Sequence, residues 1–195
     1  MTTLTVAIMA GGQSSRMGVN KAFVELHGKP LIGHVLDKVN DLGQDETILI
    51  TNSPADYAHL GLPTYTDLIP GMGSLGGIYS AIHYSVSSHT LVVACDMPLL
   101  NPGLLRYMID LRNQPVDVIA PRREGHPQGL HAIYSKDCLD PIRQQLDTGR
   151  FKVIGFHVRV RVRYLDEMEY EQYDPNGLSF FNVNTPQDLK KVSEL

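Results

Sequence analysis

The stretch richest in potential chemistry is Met9-Ala10-Gly11-Gly12-Gln13-Ser14-Ser15-Arg16-Met17-Gly18-Val19-Asn20-Lys21. It directly follows an apolar run. Adjacent glycines let backbone N–H groups approach an anion closely. Ser14 and Ser15 add short hydroxyls, and Arg16 and Lys21 add two cations of different kinds. An arginine grips phosphate oxygens in two places, whereas a lysine acts as a mobile point charge. Two familiar phosphate loops are excluded. The P-loop needs Lys-Ser/Thr directly after its second glycine, and Gly18 is followed by Val19. The dinucleotide fingerprint needs Gly-x-Gly-x-x-Gly, which Gly11-Gly12-Gln13 does not supply. The residues therefore describe a phosphate loop of another kind.

A second candidate is Asp96, which closes the run Leu91-Val92-Val93-Ala94-Cys95. A carboxylate at the carboxyl end of a central strand points at the ligand crevice of an open parallel sheet. Mg²⁺ prefers one or two carboxylates completed by phosphate oxygens and water. Asp96 suits that role beside a phosphate loop. Asp67 precedes Gly71-Met72-Gly73-Ser74-Leu75-Gly76-Gly77, and reads either as a hydrogen-bond acceptor for a ligand or as a turn initiator. Either a flat backbone surface against a ring or a flexible lid accounts for that many glycines. Asn182 and Asn184 share a face if residues 180–184 are extended, with Phe181 and Val183 turned to the core. Two amides on one face suit a polar, hydrogen-bonding ligand. Arg122, Arg123 and His126 form either a second phosphate patch or a solvated loop.

These residues need a frame. Short Val/Ile/Leu-rich runs recur at residues 4–10, 46–51, 89–94, 116–120 and, in one or two pieces, 151–165. Several are continuous rather than alternating, as strands buried on both faces of a parallel sheet are. Helical patterns lie between them. One covers residues 30–42, with Gly43 beyond its end. Others cover 74–86 and 136–146, the latter with an irregularity at Pro141. Asn101-Pro102 and Thr185-Pro186-Gln187-Asp188 each read as a cap followed by proline at the first helical position. The alternation predicts an α/β fold, a three-layer α/β/α arrangement on a mostly parallel sheet. Residues 121–128, polar and carrying three charges, read as a mobile loop. The alternation His157-Val158-Arg159-Val160-Arg161-Val162-Arg163 reads as a half-exposed edge strand with a basic face.

Composition narrows the class. A chain of 195 residues fits one domain at about 150 residues each. With 43% hydrophobic and only 19% charged residues, disorder is excluded. No run approaches the ~18 apolar residues of a membrane helix. A net charge of −4 argues against wholesale nucleic-acid binding. The N-terminus lacks the basic region of a secretory leader, and Cys95 and Cys138 make no disulfide framework. A reducing cytoplasm is expected. No histidine has zinc-ligand spacing.

The loop ending at Lys21 resembles the signature of nucleotidyltransferases with a glycosyltransferase-A-like fold, Leu-Ala-Gly-Gly-x-Ser-x-Arg-Met-Gly-x-Asp-Lys. More closely, it is similar to that of the molybdenum cofactor guanylyltransferases, the MobA family. Met9 stands for Leu, and Asn20 for Asp, which removes a charge beside the loop. Further landmarks resemble the family in order: Gly28-Lys29-Pro30-Leu31, Asp67 with the glycines after it (Ser74 standing for Pro), Ala94-Cys95-Asp96-Met97-Pro98, His126-Pro127 with the strand after it, and Phe181-Asn182-Val183-Asn184-Thr185-Pro186. The resemblance implies transfer of GMP from GTP to the terminal phosphate of molybdopterin (Mo-molybdopterin), with Mg²⁺ as cofactor. It implies catalytic roles for Arg16, Lys21 and Asp96. It also implies nucleotide contacts at Met9, Ala10, Gly11, Gly12, Lys21, Asn52, Asp67 and Asp96, metal binding at Asp96, and pterin contacts at Asn182 and Asn184. The N-terminal part would hold nucleotide and the C-terminal part the acceptor. Other cofactor-biosynthesis proteins and acceptor molybdoenzymes are the implied partners. Two alternatives stay open: a related nucleotidyltransferase using CTP or another phosphorylated acceptor, and a non-catalytic carrier of the pterin.

Overall fold

The computed structural model describes residues 3–11 and 20–195. Gly12 and Arg16, two of the expected site residues, lie outside them. The chain opens with β1 (Leu4–Met9), every residue of which is buried. After it come the short hairpin β2 (Glu25–Leu26) and β3 (Lys29–Pro30), then α1 (Leu31–Val39), β4 (Glu46–Ile50) and β5 (Thr64–Tyr65). Next are α2 (Gly73–Tyr84), β6 (His89–Ala94), α3 (Pro102–Leu111), β7 (Val118–Arg123), β8 (His126–Pro127) and β9 (His131–Ser135). The chain ends with α4 (Leu139–Asp147), β10 (Val162–Leu165), α5 (Glu167–Tyr170) and α6 (Pro186–Ser193).

The central sheet has the order β10-β7-β9-β6-β1-β4-β5, with β8 added to β7. The pairs β1–β4, β1–β6, β4–β5 and β7–β10 are parallel. β9 runs antiparallel to both β6 and β7. Buried side chains alternate between the two faces of the sheet. Val6, Ile8, Leu91 and Val93 pack under α1 and α3, while Ala7, Ile48, Val92 and Tyr134 pack under α2 and α4. The expected three-layer α/β/α arrangement is therefore present. A third cluster, Leu26, Leu31, Val183 and Val192, fastens α6 to the small hairpin. Among the described residues no helix is long and apolar enough to cross a membrane.

Local chemistry explains several element ends. Asn101 Oδ1 accepts from the backbone N–H groups of Gly103 (2.8 Å) and Leu104 (3.1 Å), capping α3. Its Nδ2 donates to the carbonyl of Tyr173 at 2.6 Å, so one side chain ties two segments. Asn101→Ala removes all three bonds and is expected to cost about 1–2 kcal/mol of stability, read by urea unfolding. An unchanged midpoint would mean that water replaces the amide. Thr185 and Asp188 form the expected reciprocal cap of α6. The helix expected over 136–146 is divided into a 3₁₀ turn, Lys136–Cys138, and α4. Pro141 sits in the first turn of α4, where its missing N–H costs no helical bond.

Three expectations are corrected. Residues 121–128 are an ordered hairpin rather than a mobile loop: β7 pairs with β8 across Glu124 and Gly125, both at positive φ (52° and 75°). Two consecutive positive φ values match a tight hairpin to the right-handed strand twist. The alternation from His157 is mostly not a strand, because residues Val153–Arg159 form a 3₁₀ helix. Two of its three arginines go to ion pairs, Arg161 with Asp117 and Arg163 with Glu169, while Arg159 donates to Gln144 Oε1 at 3.4 Å. Only β10 is extended, and it does lie at the sheet edge. Phe180 closes a 3₁₀ turn, Leu178–Phe180, instead of opening a strand.

Candidate active site

The site forms at the carboxyl ends of β1 and β6. These neighbours are paired in register, Met9 opposite Ala94, so both chains leave the sheet at the same edge. Their exits stay joined, since the Cys95 N–H donates to the Met9 carbonyl at 3.0 Å, and the Ala10 N–H ties the same exit to β4 through the Ile50 carbonyl at 2.8 Å. The next residues wall a cavity of about 250 Å³, to which Met9, Ala10, Gly11, Lys21, Asp67 and Asp96 all contribute. Asn182 and Asn184 complete its far wall. They are delivered by the Val183 N–H, which donates to the Asp96 carbonyl at 2.9 Å. Val183 is fully buried in the third cluster, with Phe181 packed on it. The expected division of faces over residues 181–184 therefore holds, although that segment is not a strand.

Lys21 is the hub. Its Nζ donates to Asn184 Oδ1 at 2.6 Å and lies 3.8 Å from Asp96 Oδ2. The first and last segments of the chain thus meet at one ammonium group. Burial raises the carboxyl of Asp96 above the ordinary carboxylate range, and the charge of Lys21 partly opposes this. A carboxylate desolvated in this way gains from any cation entering the cavity. Cys95 is pushed up to about 12, first by burial and then by the charge of Asp96. It stays a thiol at neutral pH and contributes no nucleophile.

The donor set bears on the metal. Among the described residues no three His, Cys, Asp or Glu side chains gather into a metal cage. Of the described residues, Asp96 and Asp67 are the carboxylates that line the cavity, a sparse set that fits a hard divalent cation shared with phosphate oxygens and does not fit an all-protein site.

A shallower hollow of about 440 Å³ adjoins the cavity, sharing Ala10, Gly11, Asn20, Asp67 and Gly73 and adding Asn52. Asn52 and Asp67 are paired. Asn52 Nδ2 donates to Asp67 Oδ2 at 2.8 Å, and the Asp67 N–H donates to Asn52 Oδ1 at 3.1 Å. The glycines after Asp67 belong to the entry and interior of α2. Gly71 and Gly73 take φ of +80° and +59° at its entry. Gly77 is buried against β1, and a Cβ there would stand 2.3 Å from Met9 Cε. Close packing therefore brings the first turn of α2, with its unpaired N–H groups, to the cavity wall.

Arg122, Arg123 and His126 do not join this site. Arg122 lies 3.7 Å over the Tyr164 ring and 3.7 Å from Asp166, and Arg123 donates to the Gly177 carbonyl at 2.8 Å. His126 Nδ1 lies 2.8 Å from the carbonyl of Glu124 in its own hairpin. The patch reading is withdrawn, since these side chains serve the hairpin and its neighbours. Sequence reasoning also missed Tyr57, whose hydroxyl contacts Asn20 and Ala10. A tyrosine 37 residues from its partner leaves no local signal.

Comparison with known proteins gives a consistent set of relatives. Residues 6–161 match the family model described as the MobA-like NTP transferase domain. A protein of Pelotomaculum thermopropionicum named "Probable molybdenum cofactor guanylyltransferase" is 39% identical over 192 residues, covering 98% of this chain and 93% of its own. The molybdenum cofactor guanylyltransferase of Desulfosudis oleivorans is 33% identical, covering 98% and 95%. Among solved structures, molybdopterin-guanine dinucleotide biosynthesis protein A from Archaeoglobus fulgidus superposes with a TM-score of 0.83 at 30% identity, covering 97% of each chain.

Proposed function

The chain belongs to the MobA-like NTP transferase family, and from that premise we propose that it is a molybdenum cofactor guanylyltransferase. In this reading a terminal phosphate oxygen of molybdopterin attacks the α-phosphorus of GTP. The bond from that phosphorus to the bridging oxygen breaks, and pyrophosphate leaves with the electron pair. The products are the guanine dinucleotide form of the cofactor and pyrophosphate. A phosphate nucleophile is already ionised near neutral pH, so no general base is required.

Each residue then has a task. The backbone at Ala10 and Gly11, with the first turn of α2, faces the nucleotide phosphates. Lys21 offsets charge on the α-phosphate and the leaving group, as phosphoryl chemistry asks mainly for positioning and charge stabilisation. Arg16 is assigned the same work from its place in the loop. Asn52 and Asp67 present their paired amide and carboxylate to ribose or base. Asn182 and Asn184 receive the pterin. Asp96 is the ligand assigned to Mg²⁺, which when bound neutralises phosphate charge as a Lewis acid.

The observation that carries this reading is the meeting of Lys21, Asp96 and Asn184 in one cavity at the carboxyl ends of the parallel strands. Calorimetric titration with GTP, CTP, ATP and UTP, each with and without Mg²⁺, tests it. GTP-selective binding that strengthens with Mg²⁺ is expected. CTP selectivity would keep the chemistry and change the nucleotide. No binding of any of the four would overturn the enzyme reading in favour of a pterin carrier. The acceptor side has its own check. Asn182→Ala is expected to raise KM for molybdopterin about tenfold, the loss of one or two hydrogen bonds, with GTP affinity unchanged. An effect confined to GTP would reverse the assignment of the two ends.

A further inference from the structure

We propose that Tyr57 is a positioning residue for the nucleotide site, stapling the two described ends of the glycine-rich segment through a single phenol oxygen. The proposal rests on the nucleotide reading above. Tyr57 belongs to the 3₁₀ helix Pro54–Leu60, which follows Asn52 and is not part of the glycine-rich segment. Its side chain is 1% exposed, and its ring packs on Phe23 at 4.9 Å between centroids. The hydroxyl reaches both Asn20 and Ala10. Asn20 Nδ2 donates to the hydroxyl oxygen at 3.0 Å. The hydroxyl hydrogen is shared between the Ala10 carbonyl (3.3 Å) and Asn20 Oδ1 (3.2 Å).

The amide orientation is set independently. Asn20 Oδ1 accepts from the Ala22 N–H at 3.2 Å and caps the 3₁₀ turn Lys21–Phe23. That turns Nδ2 to the phenol oxygen, with Oδ1 serving both the Ala22 N–H and the phenol hydroxyl. Tyr57 thus holds Asn20, Asn20 caps the turn that carries Lys21, and Lys21 reaches Asn184 and Asp96. The same oxygen holds Ala10, the first residue after β1 and one of those lining the cavity. A carboxylate at residue 20 could not donate to the phenol, so the amide of Asn20 has a use of its own. Tyr57 lies five residues after Asn52, in the 3₁₀ helix that follows it.

The test compares wild type, Tyr57→Phe, Asn20→Ala and the double variant. Tyr57→Phe keeps the ring against Phe23 and removes only the oxygen. Two readouts are taken. In calorimetry, each single variant is expected to bind GTP with Mg²⁺ about tenfold more weakly, and the double variant no more weakly than the worse single one. In ligand-free protein, amide hydrogen exchange in peptides spanning residues 20–26 is expected to rise in Tyr57→Phe, with the other strands unchanged. Wild-type GTP affinity in Tyr57→Phe would overturn the proposal. So would losses that multiply in the double variant, because the two residues would then act separately. A general rise in exchange across the sheet would reduce Tyr57 to a packing residue. If wild type bound none of the four nucleotides, the nucleotide reading would fall, and unchanged exchange over 20–26 would still sink the staple by itself.

Discussion

Replacing Asp96 by asparagine is expected to lower Mg²⁺-dependent GMP transfer about a thousandfold and to leave the fold intact. Asparagine keeps the shape but loses the charge, and a neutral amide oxygen is a poor ligand for a hard cation. Removing one preorganised stabiliser of developing charge costs on the order of 10²–10³ in rate, and loss of the metal contact adds to that. The protein itself should not suffer. Burial raises the pKa of Asp96 in the folded state, so ionising this carboxyl works against folding. The stability linked to it is greatest below the ordinary carboxylate pKa and declines as pH rises through the raised folded value. That cost grows as the carboxyl ionises, and asparagine removes it. The ligand-free variant should therefore melt at or above the wild-type temperature at pH 7. The wild-type enzyme should lose activity on acidification at a higher pH than an exposed aspartate would dictate, because Asp96 must be ionised to hold metal. Pyrophosphate release measured against Mg²⁺ concentration and pH, with thermal melts, reads all three. Unaltered turnover in Asp96→Asn would remove this residue from the mechanism.

The location of Asp96 was legible in the sequence because everything that places it is local. The run 89–94 is apolar and β-branched, and β6 occupies the same six residues. The caps at Asn101 and Thr185 were legible for the same reason, since a side chain that caps its own helix is determined within four residues. Misreadings arose where tertiary contacts override the local pattern. Val-Arg alternation over 157–163 has the period of a strand, yet His157 is buried with its Nδ1 2.9 Å from the Tyr164 hydroxyl. Gly155, inside the 3₁₀ helix, packs so tightly on Gln145 that a Cβ would stand 2.6 Å from its Oε1. The charges of residues 121–128 suggested a loop, and Glu124, a residue type that rarely takes positive φ, gave no hairpin signal. At the candidate site, residues singled out from the sequence, such as Lys21, Asp96 and Asn184, line one cavity, but their partners left no mark in the sequence. The meeting of Lys21 with Asn184 spans 163 positions, and the staple at Tyr57 spans 37. Contacts of that separation depend on the sheet order, which periodicity does not specify.

Lys21→Ala is expected to lower kcat/KM for GTP by two to three orders of magnitude, the range for losing one charge-stabilising group aimed at a reacting phosphate. Asn184 is a neutral acceptor at 2.6 Å, so it aims the ammonium without cancelling its charge. Asp96 lies farther off, at 3.8 Å, and is the group the metal would occupy. Entry of a triphosphate and metal would therefore leave the ammonium of Lys21 aimed into the cavity by Asn184. Arginine should restore little of the loss, since a planar guanidinium cannot replace a compact ammonium seated on one amide oxygen. The variant has a second consequence that separates lost charge from lost shape. The cation of Lys21 is what opposes the upward effect of burial on Asp96. Without it, that carboxyl should titrate at still higher pH, and the acid limit of residual activity should move upward in Lys21→Ala. Lys21→Met, which keeps the length of the side chain, should show the same displacement. Single-turnover rates across pH would distinguish the two effects. A wild-type rate and affinity in Lys21→Ala would place the triphosphate away from this end of the sheet. A rate loss with no displacement of the acid limit would mean that Lys21 acts on the nucleotide alone, and that its proximity to Asp96 in the ligand-free protein plays no part in turnover.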